Sequence, residues 1–261
     1  MKSSNIGGQA VMEGIMMRSG DQYSIGVRKP DGEIEVKVEP YRSWAKDSSI
    51  WKLPVFRGVA SFFESLVVGI RCLMYSASFI EDEEEDAKKP GKEKTEEQKE
   101  KEEKWLMYGT MTFSVIFSIA LFIMLPYFLA GFLRNVTTSE GVIAVAEACV
   151  RMILFLGYLV LISRMKDIQR VFMYHGAEHK CINCVEHGLE LNVENVMKSS
   201  REHKRCGTSF LLFVMIVSII FFLFIRVSSP VLRVVIRLLL MPVIAGVSYE
   251  IIRLAGKSDN K

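Results

Sequence analysis

The chain has 261 residues, 50% of them apolar and 24% charged, with a formal net charge of +3. So high an apolar share argues against an ordinary soluble protein, and so small a positive charge excludes the electrostatic footprint of a nucleic-acid binder. No glycine loop followed by Lys, of the kind that cradles phosphate, is present.

Residues 1–53 read as a cytosolic N-terminal region. Its first residues hold no apolar core long enough for a cleavable signal. The adjacent glycines of Gly7-Gly8-Gln9-Ala10-Val11-Met12-Glu13-Gly14 permit close backbone approach, which favours a buried edge over a substrate-facing loop. Were the segment to face the metal loop described below, Glu13 would offer it a ligand or a proton shuttle. Tyr23, Ile25 and Val27 alternate with polar neighbours, Pro30-Asp31-Gly32 makes a turn, and Ile34, Val36 and Val38 alternate again. The pattern predicts a β-hairpin with one apolar face.

Between 54 and 80, Val59, Phe62, Phe63, Leu66, Val67, Ile70, Leu73, Met74 and Ala77 share one helical stripe. An amphipathic helix on the membrane or against a bundle is expected there, in preference to a further span. Residues 81–106 form a charged linker, almost entirely Glu, Asp and Lys up to Lys104, which reads as a solvated linker or a surface helix with many i, i+4 pairs, its first half expected to be flexible.

Residues 107–261 carry four expected membrane spans. Met107 to Leu133 contains 27 residues and no charge, and a helix of that length rises roughly 40 Å, more than the ~30 Å hydrocarbon core requires. Ala144 to Ser163, Cys206 to Ile225 and Val231 to Leu254 follow. Glu147 and Arg151 sit four apart and suit mutual pairing near an interface, and Arg233 and Arg237 are expected to snorkel outward. Between the second and third spans lie Arg164, Lys166, Arg170, Lys180, Lys198, Arg201, Lys204 and Arg205, against Arg134 and Arg226 alone in the two loops of the other side. The expected orientation therefore places both termini and the loop 164–207 in the cytosol, where the five cysteines stay reduced.

That loop concentrates the chemistry. All four histidines, His175, His179, His187 and His203, fall within 29 residues, close to Cys181, Cys184 and Cys206. His175-x-x-Glu178-His179 on a helix puts two imidazoles on one face to bind a zinc-like divalent ion, with Glu178 placed to polarise a bound water and Glu186, His203 or Cys206 as third ligand. Equally, Cys181-x-x-Cys184 and His203-x-x-Cys206, separated by eighteen residues, have the spacing of a closed structural zinc site. A polar loop without metal is the remaining reading of the same residues.

The stretches Ile6 to Arg18, Val27 to Gly32, Pro54 to Gly58, Tyr174 to Lys180 and His203 to Phe210 resemble the YqhQ family of bacterial membrane proteins, described as metal-dependent enzymes of unassigned reaction. The resemblance covers most of the chain except the acidic linker. It matches His175, Glu178, His179, Glu186, His203, Arg205 and Cys206, does not call for Cys181, Cys184 or His187, and finds Lys204 where the family has proline. It implies His175, His179 and His203 as ligands of a divalent metal such as zinc, Cys206 or Glu186 as a fourth, and Glu178 as acid/base. The resulting expectation is a mainly α, multi-pass protein of the bacterial plasma membrane, in contact with lipid and with an unidentified substrate or protein partner but not with nucleic acid. Its function would be that of a cytosol-facing, metal-dependent hydrolase of a peptide or lipid-linked substrate. The alternative is a non-enzymatic scaffold or regulator with a metal-stapled loop; a transporter fits less well, because few ionisable groups lie deep in the spans.

Overall fold

A computed structural model of the chain describes residues 4, 6–43, 49–86, 96–203, 206–225, 227 and 229–257. The stretch 87–95 of the expected linker, together with Lys204, Arg205 and Arg226, lies outside these residues. Mainly helical, the chain divides into two units: residues 1–87, 162–217 and 241–261 form the first, and 88–161 with 218–240 the second.

The first unit opens with an antiparallel sheet in strand order β1-β2-β3-β4, comprising β1 (Gly7–Val11), β2 (Gly14–Ser19), β3 (Gln22–Arg28) and β4 (Ile34–Pro40). The expected hairpin is therefore β3 and β4, extended by two strands that the local pattern did not announce. Its single apolar face is not observed. Register pairs Tyr23 with Glu39, Ile25 with Lys37 and Val27 with Glu35, and paired residues share a face, so Ile34, Val36 and Val38 point the other way. Tyr23, Ile25 and Val27 are buried with Val11 and Met16 against α1 (Phe56–Asp86), whose Cys72, Val68, Tyr75 and Phe79 complete the core. Ser76 Oγ of α1 accepts from the Met12 backbone N–H at 3.1 Å. On the opposite face, α5 (Lys166–Glu186) packs against β1 and β2. The sheet is thus sandwiched between two helices.

Near its start, α1 crosses α8 (Pro230–Lys257) where Gly58 meets Gly246: a Cβ added at Gly58 would stand 2.7 Å from the Gly246 carbonyl oxygen. Two glycines let the backbones approach this closely, and the Arg57 Nε–H bond to Glu250 at 2.5 Å adds an ion pair beside the crossing.

The second unit holds α2 (Glu96–Ile119), α3 (Leu125–Gly131) and α4 (Glu140–Ile162). A π turn over Ala120–Met124 joins the first two just ahead of Pro126, where the proline cannot donate to the regular ladder. The helix of the first expected span reaches back to Glu96, so the second half of the charged linker is helical. Among the described residues, five helical stretches are long and apolar enough to cross a membrane: Phe56–Ile80, Trp105–Gly131, Glu140–Ile162, Gly207–Phe224 and Val231–Ala255. The last four coincide with the expected spans; the first is the stretch read as an amphipathic helix. Arg233 and Arg237 do not snorkel outward. Both are buried and converge on Glu147, whose carboxylate, held away from water, attracts each guanidinium strongly and offsets part of their mutual repulsion.

Candidate metal centre

The His-x-x-Glu-His motif does not extend α4. The chain breaks at residues 163–165, and α5 starts afresh at Lys166 with Asp167 in its first turn. Helical spacing then aligns His175, His179, Asn183 and Glu186 along one stripe. α5 stops at Gly188, whose φ of +70° only glycine adopts freely, while Gly188 N bonds to Val185 O and Leu189 N to Cys184 O. The chain then doubles back through α6 (Val193–Lys198).

Two side chains of the stripe hold the returning loop. Asn183 Nδ2 donates to the carbonyls of Ser200 at 2.7 Å and Glu202 at 2.9 Å, and His179 Nδ1 lies 2.7 Å from the carbonyl of Arg201. This brings Cys206, at the mouth of α7 (Gly207–Phe224), over His175, with His175 Nε2 3.3 Å from Cys206 Sγ. On the other side of the same ring, Nδ1 is 3.0 Å from Glu178 Oε2. Glu178 is buried beneath β1, where a Cβ added at Gly8 would come within 2.3 Å of its Oε1. Gly8 is required there for close approach.

One donor atom from each of His175, His179 and Cys206 lies within 4.8 Å of the other two. Both imidazoles are tied through Nδ1, one to a carboxylate and one to a backbone carbonyl, the arrangement that fixes ring orientation and leaves Nε2 for a metal. The Glu178 hydrogen bond, with a smaller contribution from Cys206, outweighs burial and pushes His175 up to about 9. Burial pushes the Cys206 thiol up. Hydrogen bonds from Thr208, His175 and the backbone N–H groups of Ser209 and Thr208 more than offset it, bringing the thiol below its ordinary value. A metal would need these two donors as neutral imidazole and thiolate.

The other expected site residues fall into two groups. His203 and Glu186 pair with each other, His203 Nε2 to Glu186 Oε2 at 3.3 Å, while Ser4 donates its N–H and hydroxyl to Glu186 Oε1 at 2.9 and 3.0 Å. That pair adjoins the centre, the His203 ring standing 5.8 Å from that of His179. Cys181 and Cys184 are not drawn in. Cys184 is buried and donates to the Glu190 carbonyl at 3.4 Å, Cys181 lines a separate cavity of about 450 Å³ between the sheet and α5, and His187 Nδ1 contacts the Asn183 carbonyl at 2.7 Å. The closed arrangement of Cys181, Cys184, His203 and Cys206 is therefore not formed among the described residues.

The Gly-Gly-Gln-Ala-Val-Met-Glu-Gly segment is β1 with its turn, and it does face α5. Its Glu13, at φ +50°, is held by Arg170 through both carboxylate oxygens and by the Tyr174 hydroxyl at 3.1 Å, so it serves docking rather than ligation. The Arg170 bond draws the Glu13 carboxyl below its usual range. Gly8 is one of the adjacent glycines expected to permit close approach, whereas nothing in the local pattern singles out Ser4, and Asn183 is marked only by continuing the i, i+4 series of His175 and His179.

Residues 53–261 match the family DUF1385, described as a protein of unknown function. The chain is 37% identical over 252 residues, 96% of its length and 79% of the relative's, to the uncharacterized protein YqhQ of Bacillus subtilis strain 168. No solved structure matches.

Proposed function

The chain belongs to the DUF1385 family, and we propose that it is a metal-dependent integral membrane enzyme, a hydrolase with its site facing the cytosol. Bound metal, zinc by the chemistry of an imidazole and thiolate donor set, is held by His175, His179 and Cys206. The observation that carries this reading is the anchoring of both imidazoles through Nδ1 while Cys206 Sγ approaches from the facing helix. These three residues would hold the ion, which would supply Lewis-acid activation of a water molecule. Glu178, engaged with His175 Nδ1 and covered by Gly8, orients that ligand. Glu178 is also the acid/base of the proposed site, with the His203–Glu186 pair beside it.

Cys206 immediately precedes α7, an apolar helix of 18 residues long enough to cross a bilayer, so the centre sits where a lipid-linked or membrane-adjacent peptide substrate would arrive. Packing supports four crossings. If α1, α2 with α3, and α4 all crossed, the sheet and α5 would stand on opposite sides of the bilayer, yet β1 and β2 pack on α5. α1, whose inner face completes the sheet core, is the helix to leave outside. The basic residues around α5 place that side in the cytosol of a bacterial plasma membrane.

Metal analysis of the full-length protein in detergent tests the centre. About one ion per chain is expected, lost on His175→Ala, His179→Ala or Cys206→Ser, since each removes a ligand. Retention in all three variants refutes the reading. X-ray absorption showing a fourth protein ligand from His203 or Glu186 would instead favour a metal-stapled scaffold or regulator. For orientation, a reporter thiol at Ser139 reacts with an impermeant reagent on intact cells and one at Ser199 does not; the reverse labelling overturns the topology.

A further inference from the structure

The second unit contains a charge cluster that the metal centre does not use. Glu147 and Arg151 of α4 and Arg233 and Arg237 of α8 are each at most 8% exposed. Arg151 Nη2 donates to Glu147 Oε1 at 2.8 Å and its Nε to the Phe122 carbonyl at 3.2 Å. Arg237 makes an ion pair with the same carboxylate oxygen. Arg233 stands 4.0 Å from the other oxygen and donates Nε and Nη2 to the Val227 carbonyl at 3.1 and 2.6 Å. Arg151 and Arg237 both lie 4.9 Å from the centroid of the Phe222 ring.

Among the described residues, one carboxylate thus answers three guanidiniums, an excess of two positive charges inside apolar helices. A buried lysine would relieve such an excess by losing its proton, but a guanidinium does not. Carbonyl dipoles and a ring face lower the energy of the excess without neutralising it. The imbalance is sharpest at Arg237: its Nε has no hydrogen-bond partner, and its Nη1 meets Glu147 at ion-pair range without hydrogen-bond alignment. Arg237 also lines a cavity of about 10 Å³ together with Glu147, Arg151, Ala144, Ala148 and Phe222. That is room for one water-sized particle.

We propose that this cavity is an anion site for a small monovalent ion of the halide class, held by Arg237 and Arg151 beside Glu147. A halide is only somewhat larger than a water molecule and needs the lining side chains to give slightly, whereas a phosphate or a lipid headgroup needs several times this space. A water molecule would complete a hydrogen bond at Nε but leave the charge excess in place. Glu147 competes with the ion for the same guanidiniums, so occupancy is exchangeable.

The test is thermal unfolding of the full-length protein in detergent, titrated with sodium chloride, bromide, phosphate or gluconate at constant ionic strength. Chloride and bromide are expected to stabilise saturably and gluconate not at all. Arg237→Gln should abolish the effect, whereas Glu147→Gln should move half-saturation to a roughly tenfold lower concentration, because the competing carboxylate is gone. If Arg237→Gln fails to fold, the Glu147→Gln shift decides, together with bromide anomalous scattering at the cavity. Equal stabilisation by every salt, an unshifted Glu147→Gln titration, or a response confined to phosphate or to added anionic lipid overturns the proposal.

Discussion

Asn183→Ala offers the sharpest test of how the centre is assembled. The Asn183 amide, 3% exposed, supplies two donations to the loop carbonyls of Ser200 and Glu202, and these help place Cys206 over His175. Two hydrogen bonds at about 1 kcal/mol each amount to about 2 kcal/mol, rising to about 4 if the abandoned carbonyls stay dry. In the variant the loop has to be ordered when the ion binds, which reduces apparent affinity by the fraction of molecules already competent. At about 1.4 kcal/mol per factor of ten, the lower figure weakens metal binding roughly 30-fold. Zinc competition against a chromophoric chelator, run beside thermal unfolding of the same detergent-solubilised protein, reads both effects. Lys180→Ala is the control: its ammonium also reaches a carbonyl of this loop, that of Met197, but in an exposed position. The reasoning is refuted if Asn183→Ala unfolds earlier while its zinc affinity stays within about twofold of the parent.

Gly8→Ala should lower zinc affinity and cost about 1–3 kcal/mol by overpacking, since the new methyl meets the Glu178 carboxylate, while Gly7→Ala, with nothing within 4 Å, should be near neutral. A metal titration of the two variants separates them; equal affinities would show that Glu178 does not depend on the close approach. Replacing Cys181 and Cys184 together by Ser should leave metal content unchanged, as neither joins the donor group and a hydroxyl can still donate to the Glu190 carbonyl. Loss of the ion in that variant, with retention in His175→Ala, would point to the closed cysteine site. Because Arg170 depresses Glu13 in the folded state, the pair stabilises above the unfolded carboxyl value of about 4.3 and is lost as pH falls through the lower folded one. Protection factors of Gly7–Ser19, taken relative to intrinsic amide exchange at each pH, should therefore fall across that acid window, and Glu13→Gln should flatten the dependence.

Local pattern was enough for the helices long and apolar enough to span a membrane. An uncharged apolar run near 20 residues has its backbone groups satisfied only within itself, so its helical state follows from composition, and the four expected spans were read to within a few residues except where α2 reaches back into the linker. β3 and β4 were likewise legible from alternation, and the two imidazoles on one face from their spacing alone. The faces of the sheet were not. Ile34, Val36 and Val38 look equivalent to Tyr23, Ile25 and Val27 along the chain, and only the cross-strand register sends the two sets to opposite sides. β1 and β2 carry glycine and methionine pairs of little strand preference, and they form because β3 gives them a ladder to extend.

The ligand set had the same limit. Spacing placed His203 and Cys206 equally within reach of the helix, but the approach of the Cys206 thiol to His175 depends on carbonyls of the returning loop bonded to Asn183 and His179, and every residue carries the same carbonyl. Arg233 and Arg237 had an outward route on their own helix. They turn inward because α4 presents Glu147 to them, a pairing between helices far apart in the chain that no local periodicity encodes.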